Sequence, residues 1–126
     1  MKQRTILVVD DSAVMRQLIS EILETGGYQV LSARDGDSAL AQVLKENVDL
    51  VLTDWTMIPM DGGELTRQLR QLPSDTPIPI LVLSTVNAES TKAEARKAGA
   101  NGWLCKPIDP ETLLAVVGSL MSPPES

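Results

Sequence analysis

Five short apolar runs alternate along this chain with longer segments whose apolar residues recur every three or four positions. The runs cover residues 6–9, 28–33, 50–53, 80–83 and 102–105, and each has the length of a buried strand. The segments that follow them have the spacing of amphipathic helices. The alternation therefore predicts five consecutive strand–helix units.

Strands that are apolar along most of their length need cover on both faces of their sheet. A parallel sheet between two layers of helices provides that cover, so we expect a doubly wound α/β sandwich with a flavodoxin-like (βα)5 arrangement. A chain of 126 residues has the size of one domain. We assign residues 1–122 to this domain and residues 123–126 to a flexible C-terminal tail.

Glycine, proline and short polar residues mark the ends of the predicted helices. The predicted stop signals are Gly26, Gly27, Pro73 and Gly99, and the predicted N-caps are Asp37 or Ser38 for the second helix and Asp109 for the fifth. The residues predicted to face the core are Val14, Leu18, Ile19, Ile22 and Leu23 in the first helix, Leu40, Val43 and Leu44 in the second, Leu65, Leu69 and Leu72 in the third, and Leu113, Leu114, Val116, Val117 and Leu120 in the fifth. The fourth helix is expected from about residue 88 to residue 98.

The charge balance and the composition exclude several functions. Seventeen acidic residues against eleven basic ones give a net charge of −6, which argues against binding to nucleic acid or to anionic membranes. The first apolar run is too short for a signal peptide or a membrane span, so we expect a cytoplasmic protein. There is no histidine, and the single Cys105, expected to be packed and inert, cannot form an internal disulfide. Any chemistry must use carboxylate, hydroxyl and amine groups.

Such groups occur where the predicted strands end. Ligands of doubly wound sheets bind at the carboxyl ends of the strands, so these side chains should gather at one edge. They are Asp10 and Asp11 after the first strand, Asp54 after the third, Ser84 and Thr85 after the fourth, and Lys106 after the fifth.

If the first and third strands are neighbours, the three carboxylates converge. Two carboxylates 4 Å apart repel by about 4 kcal/mol at an effective dielectric constant near 20, so three of them require a cation. Carboxylate ligands at strand ends suit Mg²⁺, which is held by few protein groups and retains water. We therefore predict a magnesium site at Asp10, Asp11 and Asp54.

Four segments together resemble the receiver domain of two-component response regulators, the CheY-like family. They are "VVDDS", "LTDWTMIPMDG", "PILVLST" and "WLCKP", in the family's order, and the resemblance covers roughly residues 2–120. It implies a five-stranded parallel sheet with strand order 2-1-3-4-5. It also implies a signalling protein that is not itself an enzyme.

The resemblance implies a role for each site residue. Asp54 would accept a phosphoryl group from the phosphohistidine of a histidine kinase or a histidine phosphotransfer protein, and small phosphodonors could also serve. The Mg²⁺ would be held by Asp10, Asp11, Asp54 and the backbone carbonyl of Thr56, and Ser84 and Lys106 would contact the phosphoryl group. The bond between Lys106 and Pro107 would be cis.

The resemblance also implies a switch. Ser84 and the aromatic residue Trp103 would couple phosphorylation to a face formed by the fourth helix, the fifth strand and the fifth helix, where a downstream protein binds. The chain would be a monomer or a weak, phosphorylation-dependent dimer. Two positions depart from the family pattern: Pro59 lies one place later than usual, and Trp103 replaces the usual tyrosine or phenylalanine. Thr56 and Val86 flank the site and would govern access of water to the phosphorylated carboxylate.

Three other functions are compatible with parts of the pattern. A magnesium phosphohydrolase with an aspartyl nucleophile would need an Asp-x-Asp motif and a substrate cap, whereas here the aspartates are adjacent. A flavodoxin-like electron carrier would need a phosphate cradle after the first strand. An adaptor that works without phosphorylation needs no acidic site. The sequence leaves open which kinase and output belong to this chain, and whether it acts alone or as part of a longer regulator.

Overall fold

A computed structural model describes residues 3–57, 60–73, 77–85 and 89–121. Five strands and five helices alternate strictly along these residues. They are β1 (Thr5–Val9), α1 (Ala13–Thr25), β2 (Gln29–Ala33), α2 (Gly36–Lys45), β3 (Leu50–Asp54), α3 (Gly62–Gln71), β4 (Ile80–Ser84), α4 (Glu89–Ala98), β5 (Gly102–Cys105) and α5 (Pro110–Met121). The five predicted units are confirmed, whereas the start of the fourth helix near residue 88 and the tail at 123–126 lie outside the described residues.

All five strands form one parallel sheet in the order β2-β1-β3-β4-β5. Strand β1 lies between β2 and β3, and its Val9 is paired with Ala33 on one side and with Thr53 on the other. Because the strands are parallel, their carboxyl ends share one edge of the sheet. The predicted fold class and strand order are confirmed.

Successive strand residues point to opposite faces, so the core has two layers. On one face, Ile6 and Val8 pack with buried residues of α1 and α5. On the other face, Leu7 and Val9 pack with buried residues of α2 and α3. The sheet is therefore covered on both sides, as its continuous apolar strands require.

Three residues predicted to face the core are instead exposed. Val14 is 76% exposed, Leu18 46% and Leu44 71%. At about 100° per residue, Val14 and Leu18 lie roughly 90–130° around α1 from the buried stripe centred on Ile19. Leu44 is turned by roughly 140° from the buried Ala39 of α2 in the same way. The apolar stripes of both helices are wider than the surface that the sheet covers.

The helix ends agree with the sequence in most cases. Gly27 and Gly99 have positive φ angles of 88° and 114°, as expected for residues that follow a helix. Asp109 caps α5 by accepting a hydrogen bond from the backbone N–H of Thr112. The prediction for α2 was wrong, because Asp35 is the N-cap and accepts from the N–H of Ser38.

Cys105 is also placed differently from the prediction. Its side chain is exposed at the end of β5, the edge strand, so it is a free surface thiol and not a packed residue. None of the helices in the described ranges is both long and apolar enough to span a membrane.

Candidate functional site

Three carboxylates meet at the carboxyl edge of the sheet. Asp10 and Asp11 follow β1, and Asp54 ends the neighbouring strand β3. One carboxylate oxygen from each lies within 4.8 Å of the others. Asp10 and Asp54 are buried, at 2% and 7% exposure, while Asp11 is exposed. The convergence predicted from the strand ends is present in the structure.

Lys106 brings a positive charge to this cluster from β5, two strands away from β3. Its ammonium group donates to Asp54 Oδ1 at 3.0 Å and to Asp10 Oδ2 at 3.4 Å. The Lys106 side chain is 16% exposed, so these contacts are largely shielded from water. The peptide bond to Pro107 is cis, as expected.

The charges in this cluster do not balance. The pKa of Asp54 is raised above its usual value: burial is the largest cause, the hydrogen bond and charge of Lys106 oppose it, and the neighbouring charges of Asp10 and Asp11 add to the rise. Burial alone would lower the pKa of Lys106, but the hydrogen bond and charge of Asp54, followed by those of Asp10, raise it. Lys106 is therefore held as an ammonium ion, and the three carboxylates together exceed its charge by two.

The β1–α1 turn holds the first carboxylate in place. Asp10 Oδ1 accepts a hydrogen bond from the N–H of Ser12 at 2.9 Å, and Ser12 in turn caps α1 through the N–H of Met15. The guanidinium of Arg16 donates to the backbone carbonyl of Asp10 at 2.6 Å. Sequence reasoning missed Arg16, because a basic residue in a first helical turn is ordinarily a solvated side chain.

Gly62 brings the start of α3 against the backbone beside Asp54. The N–H of Gly62 donates to the carbonyl of Trp55 at 2.9 Å. A Cβ at Gly62 would lie 2.6 Å from the carbonyl oxygen of Asp54, so any side chain there would push the strand end aside. The sequence "DGG" is the signal that could have pointed to this close approach.

The remaining predicted site residues lie around the same edge. Ser84 ends β4 and is buried at 1% exposure; Leu83, the residue before it, is paired with Asp54. Thr56 is exposed, two residues after Asp54. The ligand and switch roles assigned to Thr56 and Ser84 remain predictions, and Pro59 and Val86 lie outside the described residues.

The two tryptophans are in contact. Their ring centroids are 5.5 Å apart, with the ring planes inclined by 57°. Trp55 directly follows the acidic residue of β3, and Trp103 lies in β5, so their rings link two parts of the sheet that β4 separates.

The donor set suits a small divalent cation. Carboxylate oxygens are hard ligands, two of the three carboxylates are buried, and the exposed Asp11 leaves the group open to solvent. A divalent charge would cancel the excess of two negative charges. The residues present therefore fit Mg²⁺ on chemical grounds.

Comparison with known proteins agrees with this geometry. The profile of the response regulator receiver domain matches residues 6–118. The protein PilH of Pseudomonas aeruginosa is 35% identical over 117 residues, which are 93% of this chain and 97% of PilH. The phosphate regulon transcriptional regulatory protein PhoB of the same organism is 36% identical over 112 residues, which are 89% of this chain but 49% of PhoB.

Solved structures give the same result. The chemotaxis protein CheY4 of Vibrio cholerae superposes with a TM-score of 0.90 at 38% identity, covering 94% of this chain and 99% of CheY4. The fold and the acidic edge thus define a receiver, the signalling module of two-component systems. The chain belongs to the CheY-like response regulator receiver family, and it spans about half the length of relatives such as PhoB.

Proposed function

We propose that this chain is a phosphorylation-dependent switch in which Asp54 accepts a phosphoryl group from the phosphohistidine of a histidine kinase or a histidine phosphotransfer protein. The observation that carries the proposal is the position of Asp54, which lies within 4.8 Å of two other carboxylates and 3.0 Å from the ammonium group of Lys106. Phosphoryl transfer depends mainly on positioning and charge neutralisation. This edge of the sheet supports the positioning, and Lys106 together with a bound divalent cation would provide the neutralisation.

Asp10, Asp11, Asp54 and the backbone carbonyl of Thr56 are the groups that would hold Mg²⁺. When bound, the cation would neutralise negative charge on the phosphoryl oxygens. Lys106, which contacts both Asp54 and Asp10, would supply a further positive charge, and the hydroxyl of Ser84 would donate a hydrogen bond to a phosphoryl oxygen.

The transfer step uses the Asp54 carboxylate as the nucleophile. A carboxylate oxygen forms a bond to phosphorus as the bond from phosphorus to the donor's imidazole nitrogen breaks. The electron pair of that bond stays on the imidazole, which takes a proton from solvent if it is not already protonated. The product is an acyl phosphate on Asp54, and the step requires no histidine in this chain.

The modification would act by shifting a population of conformations. A phosphoryl group that interacts better with one arrangement of Ser84 and Trp103 favours that arrangement, and a difference of a few kcal/mol is sufficient. The face formed by α4, β5 and α5 would then bind a downstream protein. We assign this activity to residues 1–122 of a cytoplasmic chain that is a monomer or a weak, phosphorylation-dependent dimer.

Incubation with acetyl phosphate, followed by intact-mass measurement, tests the proposal. We expect a mass gain of one phosphoryl group that requires Mg²⁺, is removed by hydroxylamine, and maps to Asp54. The variant Asp54→Asn should show no gain, whereas the exposed control Asp37→Asn should behave like the wild type.

Three outcomes would contradict the proposal. Modification of the Asp54→Asn variant would place the acceptor elsewhere. Repeated turnover of a phosphate ester would indicate a phosphohydrolase. Failure of the wild type to be modified by acetyl phosphate or by any histidine kinase, with partner binding retained, would favour an adaptor that works without phosphorylation.

A further inference from the structure

The contact between Trp55 and Trp103 joins the acceptor strand directly to β5. Trp55 is the residue after Asp54, and its ring lies 5.5 Å from the Trp103 ring, centroid to centroid. Both rings pack on the sheet face that α2 and α3 cover. A tilted pair of this kind lies in the range of favourable aromatic contacts.

Trp55 is held by main-chain and side-chain contacts on both sides. Its N–H donates to the carbonyl of Leu83 at 2.8 Å, and its carbonyl accepts from Gly62 at 2.9 Å. A Cβ at Gly63 would lie 2.9 Å from Cη2 of the Trp55 ring. A side chain at residue 63 would therefore crowd the Trp55 ring where it lies against α3, and the two main-chain hydrogen bonds fix the residue next to Asp54.

Trp103 is held less completely. Its indole Nε1 is buried and has no hydrogen-bond partner in the part of the chain that the structure describes. An unsatisfied buried donor disfavours the conformation that contains it. Contact with the Trp55 ring and with the apolar groups of the core therefore holds the indole in this position.

We infer that Trp103 is a positioning residue that acts on Asp54 through Trp55, and that the contact between the two indoles couples the state of Asp54 to β5. This connection is separate from the hydroxyl of Ser84. The inference rests on the proposed function in one respect, because it takes Asp54 as the group that is phosphorylated.

Circular dichroism tests the contact directly, because two indoles this close give an exciton couplet that neither gives alone. We expect the couplet in the wild type and its loss in Trp55→Phe and in Trp103→Phe. Phosphorylation by acetyl phosphate with Mg²⁺ should change or remove the wild-type couplet, and the same treatment should leave the couplet of Asp54→Asn unchanged.

A glycine pair provides a test that leaves both tryptophans in place. Gly63→Ala should displace the Trp55 ring and remove the couplet. The matched control is Gly118→Ala in α5, whose Cβ would make an ordinary 3.7 Å contact with the hydroxyl of Tyr28 and should leave the couplet intact. Should Gly63→Ala fail to fold, the two tryptophan variants decide the question.

A double-mutant cycle measures the coupling by its effect on Asp54. The readout is the half-life of the acyl phosphate in Trp55→Phe, Trp103→Phe and the double variant. If the rings act together, the fold-change of the double variant should differ from the product of the single changes by about twofold or more. A Trp103 ring that serves only as core packing would shift thermal stability and leave this product rule intact.

The possible outcomes distinguish failure of the coupling inference from failure of the proposed phosphorylation of Asp54. If intact mass shows no phosphoryl group on the wild type, the proposed function has failed. If the mass shows phosphorylation while the couplet stays the same and the two tryptophan effects multiply, the coupling inference is wrong and the proposed function stands.

Discussion

Replacing Asp54 by asparagine should stabilise the metal-free protein, although it removes one partner of a buried ion pair. At an effective dielectric constant near 20, the contact of 3.0 Å with Lys106 is worth about 5.5 kcal/mol to the ionised Asp54. Repulsion from Asp10 and Asp11, at separations of up to 4.8 Å, costs about 3.5 kcal/mol or more for each carboxylate. Because Asp11 is exposed and partly screened, the net cost of the Asp54 charge is about 1 kcal/mol before desolvation is counted.

Urea and thermal unfolding without Mg²⁺ measure this difference. We expect Asp54→Asn to raise the free energy of unfolding by about 1 kcal/mol or more, which for a chain of this length raises Tm by about 4 °C. The control Asp37→Asn, in the exposed first turn of α2, should change stability by less than about 0.5 kcal/mol. The smaller change is expected because, among the residues that the structure describes, Asp37 belongs to no cluster of carboxylates.

The pH dependence of the stability difference between the wild type and Asp54→Asn tests the same prediction independently. The raised pKa means that folded Asp54 binds its proton more tightly than the unfolded carboxyl, whose usual value is 3.8. The wild type therefore loses stability relative to Asp54→Asn as the pH rises above 3.8, and the two converge at lower pH. Saturating Mg²⁺ should close or reverse the gap, because binding stabilises the wild type more than the variant.

The reasoning would be refuted if Asp54→Asn were less stable than the wild type without Mg²⁺. It would also be refuted if the difference between the two proteins did not depend on pH.

Three further substitutions test other parts of the structure by urea unfolding. Lys106→Met leaves the carboxylates without their cation and should cost about 3 kcal/mol at pH 7. Because the pKa of Lys106 is raised above 10.5, this cost should fade as the pH rises above 10.5. No loss of stability at pH 7 would contradict the prediction. Gly27→Ala and Gly99→Ala both place a side chain at positive φ, but only the Cβ at residue 99 would meet the Arg70 side chain, at 2.7 Å. Gly99→Ala should therefore lower the free energy of unfolding by about 1–3 kcal/mol more than Gly27→Ala. Equal costs would refute the clash. Arg70→Lys removes the planar group that donates to Gly99, Ile78 and Asn101, and it should lower the free energy of unfolding by about 2 kcal/mol. The control Arg67→Lys, on the exposed side of the same helix, should cost less than about 0.5 kcal/mol. An equal effect of the two would show that these hydrogen bonds do not stabilise the fold.

The acidic edge of the site could be predicted from the sequence because residues that follow parallel strands lie at the same edge of the sheet. Asp10 and Asp54 each follow an apolar run, and neighbouring parallel strands end at the same edge. Lys106 follows by the same rule, two strands further along the sheet. Nothing beyond strand identity and order was needed to bring these three groups together.

Exposure and side-chain contacts could not be predicted in the same way. Val14, Leu18 and Leu44 have helical spacing, but spacing does not show how wide a stripe the sheet covers. The hydrogen bond from Arg16 to the carbonyl of Asp10 depends on how α1 is set against β1. The two tryptophans follow or lie in strands that are not neighbours, because β4 lies between them, so strand order alone does not predict that their rings touch.

The central claim is that the clustered carboxylates hold a divalent cation beside a nucleophilic Asp54. A crystal structure grown with Mn²⁺ in place of Mg²⁺ tests it most directly, because anomalous scattering locates the ion independently of its surroundings. We predict one ion at the carboxylate oxygens of Asp10, Asp11 and Asp54 and the carbonyl of Thr56, with Lys106 still beside Asp54. A Mn²⁺ ion bound elsewhere, or an Asp54 side chain turned away from the ion, would contradict the claim.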